Sequence, residues 1–201
     1  KIVSDETKLY NGFAKHLVDD QLIDQFYEGE EIKLDKEEVK SKFKPNQFIM
    51  LVSNANEKKT GLARFMNYNL PLRKVSTYEH GLWGLRPRNK EQTFAFDLLM
   101  DQNVPIVTLI GKAGCGKTLL AIAAGLEQVI EKNTYKKLVV SRPVQPMGKD
   151  IGYLPGTMEE KMKPWLMPIQ DNLEFLMNGQ HKSMDMFFEK GIIQVEALTY
   201  I

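Results

Sequence analysis

The stretch Gly111-Lys112-Ala113-Gly114-Cys115-Gly116-Lys117-Thr118 decides how this sequence is read, because it satisfies G-x-x-x-x-G-K-[ST] at every defined position. Its flanks supply the context that such a motif needs. Val104 to Ile110 reads V-P-I-V-T-L-I, a β-branched apolar run that predicts a strand buried on both faces. After Lys117, the residues Leu119, Ile122, Ala123, Leu126, Val129 and Ile130 recur at helical spacing, which predicts a helix over 118–132. Strand, glycine loop and helix together mark a phosphate-binding loop.

The residue types are those the chemistry requires. Gly111, Gly114 and Gly116 let the backbone turn tightly and bring its N–H groups against phosphate oxygens. The intervening Lys112, Ala113 and Cys115 contribute backbone to the same cradle. A helix starting near Lys117 adds a positive dipole end and N–H groups without intrahelical partners. Lys117 is the candidate catalytic residue, a mobile charge for the β- and γ-phosphates, and the Thr118 hydroxyl is the candidate Mg²⁺ ligand. A glycine turn that merely joined a strand to a helix would have no need of Lys-Thr at the helix start. ATP with Mg²⁺ is the cofactor pair expected.

Composition bounds the rest. In 201 residues, 43% are hydrophobic and 26% charged, the balance of a globular chain. A net charge of +1 gives no overall pull toward nucleic acid, so any such binding needs a local patch. Cys115 is the single cysteine, which excludes an internal disulfide and a cysteine-rich metal site and suits a reducing compartment. No signal peptide or bilayer-length apolar stretch is present, so a cytoplasmic location without membrane partners is expected. The chain starts at Lys1 and stops at Ile201 inside an apolar run, as a piece of a longer polypeptide would.

Residues 1–80 read as a small β-rich, barrel-like module. Leu9 to Val18 is β-compatible, and Asp19-Asp20 can cap a short helix to Tyr27. Glu31 to Leu34 is a brief strand candidate, and Asp35 to Phe43 a short helix. Strands are expected at Phe48–Val52, Gly61–Asn67 and Leu70–Ser76. Tyr10, Phe13, Phe48, Phe65 and Tyr68 have two readings, stacking platforms or core filler, and filler is favoured in a module poor in other large apolar residues. Asp19, Asp20 and Asp24 sit too close together for a nuclease site, and His16, His80 and His181 lack metal-ligand spacing.

Residues 81–201 read as an α/β phosphate-binding domain with a parallel sheet and flanking helices. Asn89 can cap a helix running to about Asp101, with Gln92 at the capping-box spacing. Gln92 has a second reading, since a carboxamide pairs with adenine N6 and N7. Lys137 to Ser141 predicts a second parallel strand, with Arg142 at its C-terminal end as a ligand contact or a surface residue. Met147 to Gly156 is a glycine-rich loop, and Thr157 with Glu160 forms a capping box. Pro164 and Pro168 divide the next segment, and a helix is expected over 166–177. Met158, Met162, Met167, Met177, Met184 and Met186 read as core or interface filler. A third strand is expected over 192–198, with Glu196 inside it. No acidic strand end that would hold Mg²⁺ and orient water can be assigned.

On Arg88-Asn89-Lys90-Glu91-Gln92, the loop Gly111–Thr118, Ser141-Arg142-Pro143-Val144 and Gly152-Tyr153-Leu154-Pro155-Gly156, the chain resembles the PhoH-like family. These are P-loop proteins related to superfamily 1 helicases, and Glu160-Lys161 and Pro164-Trp165 extend the likeness. The resemblance implies an ATP-binding, ATP-hydrolysing domain that acts on single-stranded RNA and assembles into homo-oligomeric rings. It also implies an adenine contact for Gln92 and a strand-facing place for Arg142. Some relatives carry a PIN ribonuclease domain, a β-rich connector and then the ATPase. This sequence fits the connector and the first half of the ATPase, binding ATP-Mg without the whole hydrolytic apparatus. A nucleotide-gated assembly module is the alternative reading.

Overall fold

In the computed structural model, residues 12–35, 37, 43–142, 158–177 and 181–197 are described. They divide into two compact units, residues 1–77 and residues 78–201.

The first unit is a four-stranded sheet with one helix. Its strands are β1 (Phe13–Val18), β2 (Gln47–Ser53), β3 (Thr60–Phe65) and β4 (Arg73–Lys74), hydrogen-bonded in the order β1-β2-β3-β4. β1 runs parallel to β2 in the register Phe13↔Phe48 to Val18↔Ser53, which requires a crossover, and α1 (Asp20–Glu28) begins it. β2 meets β3, and β3 meets β4, antiparallel. The central β2 buries nearly every residue, whereas α1 buries only Ile23 and Phe26. Those two side chains pack with Ile49, Leu51, Ala63, Phe65 and Phe43 into one core. Gly61 lets α1 pack closely on β3, since a Cβ there would stand 3.0 Å from the Phe26 ring.

Three local expectations change here. Asp19 precedes α1 as its N-cap residue, but its carboxylate accepts from Asn54 Nδ2 at 2.7 Å and not from the helix. The cap is lost because a cross-loop partner competes for the same oxygen. Glu31 to Leu34 forms no ladder, although Leu72 N donates to Ile32 O at 2.8 Å. The strand expected over 70–76 shrinks to Arg73–Lys74. Phe48 and Phe65 are buried and Tyr68 donates to Phe43 O at 3.0 Å, in accord with the filler reading of these aromatics. The helix expected over 35–43 lies largely outside the described residues, as does Tyr10.

The second unit holds α2 (Lys90–Leu99), α3 (Lys117–Leu126) continuing as a π-turn over Glu127–Glu131, β5 (Leu138–Arg142), α4 (Met158–Leu176), α5 (His181–Glu189) and β6 (Ile193–Ala197). β5 and β6 pair in parallel, Leu138↔Ile193 through Arg142↔Ala197, so the unit is α/β with a parallel ladder. Its core joins Phe96, Leu120, Ile122, Ala123, Leu126, Leu173 and Ile193. Each fully buried large aliphatic or aromatic side chain of this kind stabilises the fold by about 1.5–3 kcal/mol.

Val104 to Ile110 is not the doubly buried strand that its composition predicts. The segment has no ladder partner among the described residues, and Ile106 and Ile110 are 82% and 91% exposed. A β-branched run encodes a preference for extended backbone, but burial requires neighbours, and no described strand pairs with this one. Pro164 and Pro168 do not divide α4, which is continuous for 19 residues. Asn172 Nδ2 donates to Pro168 O within it, and Ile169, Leu173 and Leu176 fix its later turns in the core. Met177 is a core residue, in accord with the filler reading, whereas Met167 is 54% exposed. The loop Met147–Gly156 and the cap at Thr157 lie outside the described residues. No helix among the described residues is long and apolar enough to cross a membrane.

Candidate nucleotide-binding site

The site is built on the start of α3. Gly114 and Gly116 have φ of 78° and 87°, left-handed values that side chains with a Cβ adopt only under strain. Successive turns of this kind aim backbone N–H groups into one concavity, which suits an anion. Gly116 is the N-cap of α3, and its carbonyl accepts the first helical bond, from Leu120 N at 2.9 Å. Residues 111–115 and Thr118 are exposed, so the cradle opens to solvent. A Cβ on Gly114 would meet nothing within 4 Å, leaving open space on that side.

Lys117 folds back over this loop. Its ammonium donates to Gly111 O and Lys112 O, both at 2.8 Å, and lies 3.6 Å from Cys115 Sγ. An ammonium has three protons, and here two meet strong acceptors while the third faces sulfur, a weak one. A phosphate oxygen could take that third proton without displacing either carbonyl. Gly111 leaves room for the Cys115 sulfur, since a Cβ there would stand 3.0 Å from it.

Gln92 is brought to the same place. α2 is capped as expected, Asn89 Oδ1 accepting from Gln92 N at 2.9 Å. The Gln92 carboxamide does not close the capping box onto Asn89. Its oxygen accepts from Arg88 N at 2.7 Å, and its Nε2 donates to Cys115 O at 3.3 Å. It is thus a strut between the segment entering α2 and the phosphate loop, a contact that the sequence pattern does not reveal. A part-buried polar link further along the helix is equally invisible in the pattern. Glu127 accepts from Trp83 N at 3.1 Å, tying the turn before α2 to the far end of the P-loop helix.

The residues present fit a nucleoside triphosphate with Mg²⁺. The loop N–H groups and Lys117 would supply donors for phosphate, and the exposed Thr118 hydroxyl would supply an oxygen for the metal. Bound ATP-Mg would bring a cleavable γ-phosphoryl group to these donors. Arg142 closes β5 and Glu196 lies within β6 opposite Ser141, so neither stands in the loop itself.

Comparison with known proteins finds relatives of this chain. The PhoH-like protein family model matches residues 84–201. A Bacillus subtilis protein named PhoH2 is 45% identical over 202 aligned positions, covering 99% of this chain and 45% of its own length. Protein PhoH2 of Mycolicibacterium smegmatis is 47% identical over 121 residues, 60% of this chain and 27% of its own. A PhoH-like protein of Bacillus subtilis is 35% identical over 92 residues, 46% of this chain and 28% of its own. The chain therefore spans less than half the length of these relatives. No solved structure matches.

Proposed function

Since the chain belongs to the PhoH-like protein family, we propose that it is the ATP-binding part of an ATPase that acts on single-stranded RNA. The observation that carries the nucleotide reading is the pair of left-handed glycines, 114 and 116, opening onto Lys117 at the start of α3. The RNA reading is supported by the Ser141–Val144 and Gly152–Gly156 motifs, which resemble those of a helicase-related family. In this reading the loop N–H groups and Lys117 hold the triphosphate, Thr118 holds Mg²⁺, and Gln92 contacts adenine. The function is that of a motor completed by further polypeptide.

The test uses the complete protein. Its ATP turnover is measured with and without single-stranded RNA, beside a Lys117→Ala variant. Stimulation by RNA that vanishes in the variant is the expected result, and turnover indifferent to RNA would end the motor reading.

A second reading, nucleotide-gated assembly, is favoured by the exposed Ile106 and Ile110 in the run directly before the loop. It predicts a change of sedimenting mass when ATP and Mg²⁺ are added.

A further inference from the structure

The P-loop occupies one end of the α3 rod, and a cleft of about 460 Å³ lies beside the other. Its volume is that of a small-molecule site. Ile130, Phe187 and Ile192 give it half-buried apolar walls, while Asn133, Tyr135 and Lys136 stand exposed at its rim. Several independent features meet here. The helix widens into the π-turn Glu127–Glu131, a rare geometry often found at functional positions. Asn133 comes just after it with φ of 49°, a left-handed value for a residue with a Cβ. Tyr135 leaves 52% of its surface in solvent.

The electrostatics are divided. Lys132 N caps Glu127 O at 2.9 Å and Thr134 N caps Gln128 O at 2.7 Å, which leaves the carbonyls of Val129, Ile130 and Glu131 as the negative end of the helix. The rim carries a cation by contrast: Lys136 is the one charged residue of the lining, and it forms no ion pair among the described residues. A ligand that suits this lining has an apolar face, N–H donors at its inner edge and its negative charge at the rim.

We propose that this cleft is a second nucleotide subsite, taking a nucleobase with its phosphate at the opposite end of α3 from the P-loop. The base stacks on Tyr135, its exocyclic amine meets the helix carbonyls and the Asn133 amide, and the phosphate pairs with Lys136. The ligand is either a free nucleotide or one residue of a strand. The proposal stands independently of the P-loop reading.

The experiment is a titration of the Lys117→Ala chain, so that the P-loop contributes little, with AMP and separately with a ten-nucleotide oligoadenylate. Binding is followed by the amide resonances of Ile130, Thr134 and Ile192. Saturable shifts at these residues are expected, weakened about tenfold by Tyr135→Ala and by Lys136→Glu. Equal affinity for the two probes identifies a free-nucleotide site, and tighter binding of the oligomer identifies a strand site. Shifts that miss these three residues, affinities that ignore both substitutions, or a response only to an acidic phenylalanine-containing peptide would overturn the proposal. Both substituted side chains are exposed, so the fold is retained, which circular dichroism verifies.

Discussion

Lys117 donates from its ammonium to the carbonyl of Gly111 at 2.8 Å, so the residue proposed to meet phosphate also clasps the entrance of its own loop. Removing it therefore takes away a phosphate contact and a loop contact together. Charge-assisted hydrogen bonds contribute roughly 1.5–3 kcal/mol each. Lys117→Ala is expected to weaken binding of a fluorescent ATP analogue by about a hundredfold or more. Lys117→Arg should not rescue it, because a planar guanidinium cannot place three tetrahedral donors on two carbonyls and a phosphate. Equilibrium fluorescence titration with Mg²⁺ checks both. An Ala variant that binds like the unaltered chain would remove the loop from the site.

Gln92 offers a finer dissection, because its two ends do different things. Gln92→Glu keeps the acceptor for Arg88 N but loses the donor to Cys115 O, whereas Gln92→Ala loses both. If the carboxamide reads adenine, either change should erase about a tenfold preference for ATP over GTP. If it is only a strut, ATP and GTP should weaken in parallel. Competition titrations with the two nucleotides separate the outcomes.

The glycine turn and the start of α3 are legible in the sequence because their geometry is demanded by residues 111–118 themselves. Glycine is needed where φ is left-handed, and the next residues start a helix. The cap of α2 is legible for the same reason, since Asn89 and Gln92 lie three residues apart. What cannot be read are choices among partners distant in sequence. Asp19 has the right position and chemistry for a cap, yet Asn54, 35 residues away, takes its carboxylate. Val104–Ile110 announces extended backbone, but nothing local states which strand will lie beside it. Pro164 and Pro168 read as breaks, and only packing of Ile169, Leu173 and Leu176 into a distant core keeps that helix whole. The Trp83–Glu127 bond spans 44 residues and joins a turn to a helix with no shared pattern.

That turn makes a stability prediction. Gly81 has φ of 77°, and a Cβ there would lie 2.5 Å from Leu85 O and 2.7 Å from Leu85 C. The obstacle is backbone, held by the reciprocal bonds between Leu82 and Leu85 at 2.9 and 3.0 Å, so it cannot swing aside. Gly81→Ala should cost about 2 kcal/mol or more and loosen the segment that carries Trp83 toward Glu127. Gly84→Ala, with nothing within 4 Å of its Cβ, should cost only the left-handed strain. Urea unfolding of the two variants compares them, and equal losses would contradict the steric account.

In the first unit, Lys59 stands 2.7 Å from both Asp20 and Asp24, joining the β2–β3 turn to α1. The Lys59 hydrogen bond, with a second from Ser53, holds the Asp20 carboxyl below its ordinary value of 3.8. Asp20 and then Asp24 hold the Lys59 ammonium above 10.5. The signs work in opposite directions. A depressed carboxyl contributes stability that is complete above its unfolded value and lost as pH falls through the folded one. A raised ammonium contributes stability that is complete below its unfolded value and lost as pH rises through the folded one. The melting-temperature difference between the unaltered chain and Lys59→Met should therefore be flat from about pH 4 to 10 and shrink on both sides. All three groups are partly exposed, so the plateau should be small and should narrow further in high salt. Calorimetric scans of both proteins across this range provide the check, and a difference that stays the same into acid and into base would show that Lys59 acts by packing and not by charge.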